Sequence, residues 1–329
     1  MKRLSAASVL ALTLLSTSAA PPGDAAAVTT HGIVDITTVV PYSKEVSYGT
    51  GVVLTPDGEV VTNNHVIRGA TQVKVHDLDN NRRYAARIVG YSVAADVALL
   101  RLNHASGLQT IVPGPVHVSQ AVIGLGNDGR SGSPRAEPGK VTGLAATITA
   151  FADDGGSEKL TGLISTSAPL QPGDSGGPLL DSSGRTIGID TAGSPLFILG
   201  PNARHRGYAI PFARVRTIVK QIGQGRTSAS VHVGPTAFLG LTFQPSNAYT
   251  GLSPGLTIVT VAKDSPAEAA GLRPGDLLTS INNVQLAAAP DFEAFLFRTR
   301  PGTRLRVGWT DLTGGTHAAP IVAATGPPQ

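Results

Sequence analysis

From about Val28 to Arg214 the sequence sustains no long helical pattern. It runs instead as short β-type segments broken by turn residues, and that rhythm limits the fold more than any other feature. "YGTGVVLTPDGEVVTNNHVI", "ATQVKVHDLDNNRRYAARIVGY", "DVALLRL", "KVTGLAATITAF" and "GRTIGIDTAG" are its clearest instances. Asp57-Gly58 and Asn80-Asn81 are pairs that close β-hairpins. The 39 glycines and 24 prolines among 329 residues, with 5% aromatic content, suit many strands joined by turns. Strands without long helices between them predict a mainly β fold, an antiparallel barrel or sandwich.

The pattern then changes. "PFARVRTIVKQI" places Val215, Ile218, Val219 and Ile222 on one helical face, and the Gly/Ser-rich "GQGRTSAS" follows as a linker. Beyond it lies a smaller α+β unit. Ser265-Pro266-Ala267-Glu268 fits a capping box with proline at the first helical position, and Gly271 suits the exit from that helix. "DLLTSINNVQL" reads as strand and turn, "DFEAFLFRT" as a second short helix and "TRLRVGWT" as a strand. The expected organisation is a β unit over residues 28–223, a linker over 224–234 and the α+β unit with a short tail over 235–329. There is room for about two cores in a chain of this length.

Residues 1–27 stand apart. Lys2 and Arg3 precede an apolar run from Leu4 to Leu15, and small residues follow, with cleavage expected near Ala19 or Ala27. This is the pattern of a secretory signal peptide, and the run is short for a membrane span. An exported product is expected. The chain has no cysteine, which removes thiol catalysis, disulfides and cysteine metal sites. A net charge of +4 without a dense basic run gives no support for nucleic-acid binding.

The stretch "LQPGDSGGPLL" puts Ser175 in a backbone shaped by Gly173, Gly176 and Gly177 and by Pro172 and Pro178. Such a loop presents a hydroxyl with little side-chain cover, although the same residues are also ordinary turn material. The G-x-S-x-G elbow of α/β-hydrolases needs a helix after the serine and its acid and base downstream. Here a strand-like "PLL" follows, and the plausible partners lie upstream. His65 ends an apolar strand in "VVTNNHVI", and Asp96 precedes the buried-looking strand "VALLRL". A serine nucleophile needs a base, and the base needs an acid to fix its tautomer. His65, Asp96 and Ser175 occur in the order that chymotrypsin-like enzymes use.

Taken together, "GTGVVLTPDGEVVTNNHVI", "DVALLRL", "QPGDSGGPLL" and "GYAIP" resemble the HtrA (DegP/DegS-like) trypsin-fold serine proteases. "AFLGLTF", "VAKDSPAEAAGLRPGDLLTSINN" and "PGTRLRVGW" resemble their C-terminal PDZ domain, and "VHVGPTAFLGL" is similar to the secreted actinobacterial branch. The resemblance implies a chymotrypsin-like double β-barrel followed by a PDZ domain. It also implies an exported endopeptidase acting on unfolded polypeptides, with His65, Asp96 and Ser175 as triad and the Gly173 and Ser175 amides as oxyanion hole. No cofactor is implied. Pro169 stands six residues before the serine, where trypsin has an aspartate. Pro169 and Leu170, with Ile189 and Thr191 of "IGIDTAG", are therefore expected to line a pocket for small or medium apolar residues. Asp190 is the complication in that wall. Phe238, Leu239, Gly240 and Leu241 are expected to form a loop receiving peptide C-termini, faced by Phe292, Phe295 or Leu296.

Two departures stand out. Many HtrA sequences have asparagine where this chain has Asp174, and pancreatic-type enzymes pair that aspartate with a newly cut N-terminus. The family's trimer-forming N-terminal segment is short and poorly matched here, so a homotrimer is an expectation from the resemblance alone. A resting binding or chaperone protein on the same fold is the alternative function. "GLGNDG" lacks the helix that phosphate binding needs, and "DLDNN" has Arg82 and Ile88 where a calcium loop needs glycine and glutamate. "DLDNN" therefore reads as a hairpin turn.

Overall fold

The computed structural model describes residues 31–40, 45–126, 134–151, 157–193, 206–244 and 255–328. Residues 1–27, expected from the sequence to be a signal peptide, and the second half of "GLGNDG" lie outside them.

The first barrel is made of β1 (Ile33–Val40), β2 (Glu45–Val53), β3 (Glu59–Thr62), β4 (Gln72–Asp77), β5 (Arg82–Ser92) and β6 (Val97–Leu102), with α1 (Asn64–Ile67) between β3 and β4. The strands pair in the order β5-β4-β1-β2-β3-β6, and β5 also pairs with β6, which closes the sheet and leaves it no free edge. The "DLDNN" stretch is the β4–β5 turn. Asp77 Oδ1 accepts the Asp79 and Asn80 amides there, and Asn81 takes a positive φ of 56°.

The second barrel closes in the order β10-β11-β12-β9-β8-β7. Its strands are β7 (Ala121–Gly126), β8 (Arg135–Phe151), β9 (Ser157–Thr166), β10 (Pro178–Asp181), β11 (Thr186–Gly193) and β12 (Gly207–Pro211). The helix read from its apolar spacing is α2 (Phe212–Gly223), with Phe212, Val215, Ile218 and Ile222 buried. Those side chains join Val52, Val61 and Leu99 of the first barrel and Leu160, Leu163, Ile189 and Ile210 of the second in one apolar seam between the barrels.

A short strand, β13 (His232–Val233), pairs with β5. It leads into the α+β unit: β14 (Thr236–Phe238), β15 (Leu241–Phe243), β16 (Leu256–Val261), α3 (Pro266–Ala269), β17 (Leu277–Ile281), β18 (Val284–Gln285), α4 (Ala289–Arg298), β19 (Arg304–Thr310), β20 (Thr316–Val322) and β21 (Ala324–Gly326). One sheet runs β15-β16-β17-β19-β20, and β14 pairs separately with β21. Sixteen buried residues around Leu239, Leu278, Phe292 and Trp309 give this unit its own core.

Candidate active site

The site lies between the two barrels. α1 follows β3 immediately and carries His65, whose side chain is 41% exposed. Asp96 ends the turn before β6 and is 2% exposed. A buried carboxylate is costly unless hydrogen-bonded, and Asp96 is well supplied. Its Oδ1 accepts the His65 backbone N–H and its Oδ2 the ring Nδ1, each at 2.9 Å. The Thr191 hydroxyl, from β11 of the other barrel, also donates to Oδ2. Asn63 Nδ2 holds the Asp96 carbonyl at 2.9 Å, and the residue sits at φ 52°. A non-glycine residue with positive φ is strained, and such strain persists where the surroundings over-determine it. Three partners on one carboxyl group do so here. With Nδ1–H donating to Asp96, the His65 tautomer leaves Nε2 with a lone pair for a proton.

The serine loop joins β9 to β10. Asp174 N–H donates to Gln171 O at 3.0 Å, with Pro172 and Gly173 between them. Gly173 has φ 101°, so proline then glycine with positive φ makes this a type II turn. The first barrel grips the loop. Thr50 Oγ1 donates to Gly173 O at 2.7 Å, and Thr50 N–H to Ser175 O at 2.8 Å. Gly176 passes so close that a Cβ there would lie 2.0 Å from Thr50 O. With both carbonyls turned onto Thr50, the loop's peptide planes are fixed. Ser175 Oγ points towards Thr191 O, 3.5 Å away.

Residues 49–189, which contain all three side chains, match the trypsin-like peptidase domain, and residues 237–310 match the PDZ domain. Protease Do-like 1, chloroplastic, of Arabidopsis thaliana is 31% identical over 83% of this chain and 62% of its own length. A probable periplasmic serine endoprotease, DegP-like, of Chlamydia trachomatis is 30% identical over 80% of this chain and 52% of its own. The chain carries a trypsin-like peptidase domain followed by one PDZ domain, and the relatives it is similar to are named Do-like and DegP-like proteases. It spans only about half to three-fifths of those relatives' length. The HtrA-type protease AlgW, solved with a tripeptide, has the same fold, with a TM-score of 0.50 at 23% identity over 93% of this chain and 97% of that one.

Within this site the residues read as pocket lining diverge. Leu170 is buried, and it fills the space beside Gly124 and Gly207, where added Cβ atoms would strike its side chain. Ile189 is wholly buried in the seam between the barrels, and Thr191 spends its hydroxyl on Asp96. Pro169 is half-buried just before Leu170. Asp190, between Ile189 and Thr191, is completely buried with neither oxygen hydrogen-bonded among the described residues. Desolvation, reinforced by nearby Asp174, holds its carboxyl well above the ordinary range.

In the PDZ unit, the Leu239 and Gly240 carbonyls accept from the Ala267 and Ala262 amides at 3.0 and 2.8 Å. Gly240 takes φ 87°, and a Cβ there would lie 2.2 Å from Ser265 Cβ. Leu239 is buried, Phe238 and Leu241 half-buried. On α4, Phe292 is packed edge-on against Phe243 of β15 at 4.7 Å and Leu296 is buried, while Phe295 is half-buried. Among the described residues no cluster of three or more His, Cys, Asp or Glu could hold a metal.

Two contacts in the site escaped sequence reading. Thr191, read as pocket lining, reaches Asp96 across 95 residues, and Arg135 pairs with Asp174 across 39. No local pattern advertises either contact.

Proposed function

We propose that the chain is an exported serine endopeptidase that cuts unfolded or damaged polypeptides and captures peptide C-termini at its PDZ domain. The observation that carries the reading is the two-point bond between His65 and Asp96, in a segment matching trypsin-like peptidases and adjoining the Ser175 loop. In this reading Ser175 Oγ attacks the substrate carbonyl while His65 Nε2 takes its proton. His65 then protonates the leaving amine, and water resolves the acyl-enzyme by the same route. Asp96 orients the ring and stabilises the imidazolium. The Gly173 and Ser175 amides hold the oxyanion.

The residue before the cut is small or medium and apolar, because Leu170 narrows the space beside Gly124 and Gly207. Export is supported by the N-terminal pattern and by relatives named as periplasmic. No helix among the described residues is long and apolar enough to cross a membrane.

The test is degradation of unfolded casein by the purified chain and by Ser175→Ala. The substitution should lower turnover by several orders of magnitude and leave the melting temperature close to wild type. Undiminished turnover in the variant would refute the mechanism. An inactive wild type that nevertheless suppresses aggregation would favour the resting chaperone.

A further inference from the structure

Asp174 lies between the two amides assigned to the oxyanion, and it is 1% exposed. A carboxylate so buried needs a partner. Its Oδ2 accepts the Gln171 N–H at 2.8 Å, and its own N–H returns to Gln171 O, so the carboxyl group closes the turn containing Gly173. Its Oδ1 accepts from Arg135 Nη2 at 3.1 Å. Arg135 Nε is held in turn by Glu137 Oε1 at 2.6 Å, and Gln171 Nε2 donates to the same Glu137 oxygen at 3.4 Å. Four side chains thus tie the start of β8 to the turn before the serine. Backbone geometry makes the room: Gly126, opposite Arg135 in the β7–β8 ladder, approaches so closely that a Cβ would lie 2.2 Å from Asp174 Cα.

The cation in this network comes from inside the chain. The first described residues point elsewhere. His31 Nδ1 and the Gly32 amide bond to Asp79 in the β4–β5 turn, at 2.8 and 2.7 Å. We propose that Arg135 is a positioning residue for the serine loop: its guanidinium holds Asp174 in place of a cut N-terminus, so the oxyanion cradle forms without N-terminal processing.

The inference rests on the protease reading and deepens it. Burial raises the Asp174 carboxyl above its ordinary range and Arg135 opposes that shift, while Glu137 on β8 adds negative charge. Asp190 on β11 brings a second buried acid close by. Removing the guanidinium would leave Asp174, Glu137 and Asp190 without it, and the turn that aims the Gly173 amide would lose one of its ties. Asparagine at 174 needs no cation and can keep the bond to the Gln171 amide through its carbonyl oxygen.

The experiment is a four-member cycle in the full chain: wild type, Arg135→Met, Asp174→Asn and the double variant. Each is measured for kcat and KM on one peptide, for inactivation by a fluorophosphonate and for melting temperature. Arg135→Met should lower kcat about 100-fold, the scale of losing one oxyanion donor, with KM changed less than about threefold. The double variant should return to within about threefold of Asp174→Asn. Wild type carrying an uncleavable N-terminal tag should turn over as fast as wild type. A kcat in Arg135→Met within about threefold of wild type overturns the proposal. So does a double variant as slow as Arg135→Met, or a tagged chain that is inactive beside an active untagged one. If Arg135→Met does not fold, the double variant and the tagged chain decide alone. A wild type without Ser175-dependent turnover sinks the protease reading first.

Discussion

Asp96 binds three donors from two barrels, which makes the carboxylate, more than the histidine, the point where the halves of the site are joined. Thr191 is the donor from the second barrel. A hydrogen bond to a charged group is worth about 1.5–3 kcal/mol, and every 1.36 kcal/mol is about tenfold in rate. Thr191→Val should therefore lower kcat about tenfold or more with little change in KM, as steady-state kinetics on one peptide will show. An unchanged kcat would mean the bond does not orient the acid. Asp190 leads to a prediction about stability. Its carboxyl is held well above the ordinary range by burial, so the folded chain keeps a proton that the unfolded chain releases. Folding then takes up a proton, and stability falls as pH rises above about 4. Asp190→Asn removes that loss. Its melting temperature relative to wild type should climb as pH rises above about 4, and a difference independent of pH would show that Asp190 ionises freely.

At the scale of elements, legibility follows the range of the forces. The α2 helix was readable because its buried residues recur at helical spacing within twelve residues. The start of α3 was readable too. Ser265 Oγ accepts the Glu268 amide at 3.2 Å, but the Glu268 carboxylate takes the Asp264 amide, one residue earlier than a capping box requires. The stretch 224–234 looked like a linker because of its glycines and serines. Its last residues nevertheless form β13, where His232 is 3% exposed. Only tertiary contacts bury it, and no local signal encodes them. The same limit hid Arg135 and the bond from Thr191 to Asp96 while leaving His65, Asp96 and Ser175 visible, since each of those sits in its own recognisable setting. The PDZ loop is a local feature with a local test. A peptide with an apolar C-terminal residue should bind the full-length Ser175→Ala chain at micromolar strength, about −8 kcal/mol. Its amidated twin should bind at least about tenfold more weakly, because a charge and an acceptor are lost. Gly240→Val should abolish binding of the acid, since its Cβ would collide with Ser265. Equal titration curves for acid and amide would sink the carboxylate-loop assignment.

For the whole molecule, the link between protease and PDZ unit is a ring cluster. His232 lies 5.1 Å from Tyr91 of β5 and 5.4 Å from Phe297 of α4, and its Nδ1 is 2.8 Å from Phe297 O. Phe297 belongs to the first barrel's core, and Tyr91 Oη meets Thr236 Oγ1 at 3.2 Å. The tail adds a second tie, with Gly69 N–H donating to Pro328 O at 2.9 Å, four residues beyond His65. Truncating a buried phenylalanine costs about 3–5 kcal/mol. Phe297→Ala should therefore split a single calorimetric unfolding transition into two, one for each unit. A variant that keeps one transition, at a cost below about 1 kcal/mol, would show that the cluster does not couple them.

The central claim is that Ser175 is a nucleophile activated by His65 and held for attack by Asp96. The most direct measurement is peptide mapping by mass spectrometry after treating the native chain with a fluorophosphonate, alongside His65→Ala and heat-unfolded controls. The account predicts one adduct, on Ser175, formed by the native chain and suppressed by His65→Ala and by unfolding. No adduct on Ser175, or one formed equally in all three samples, would contradict it.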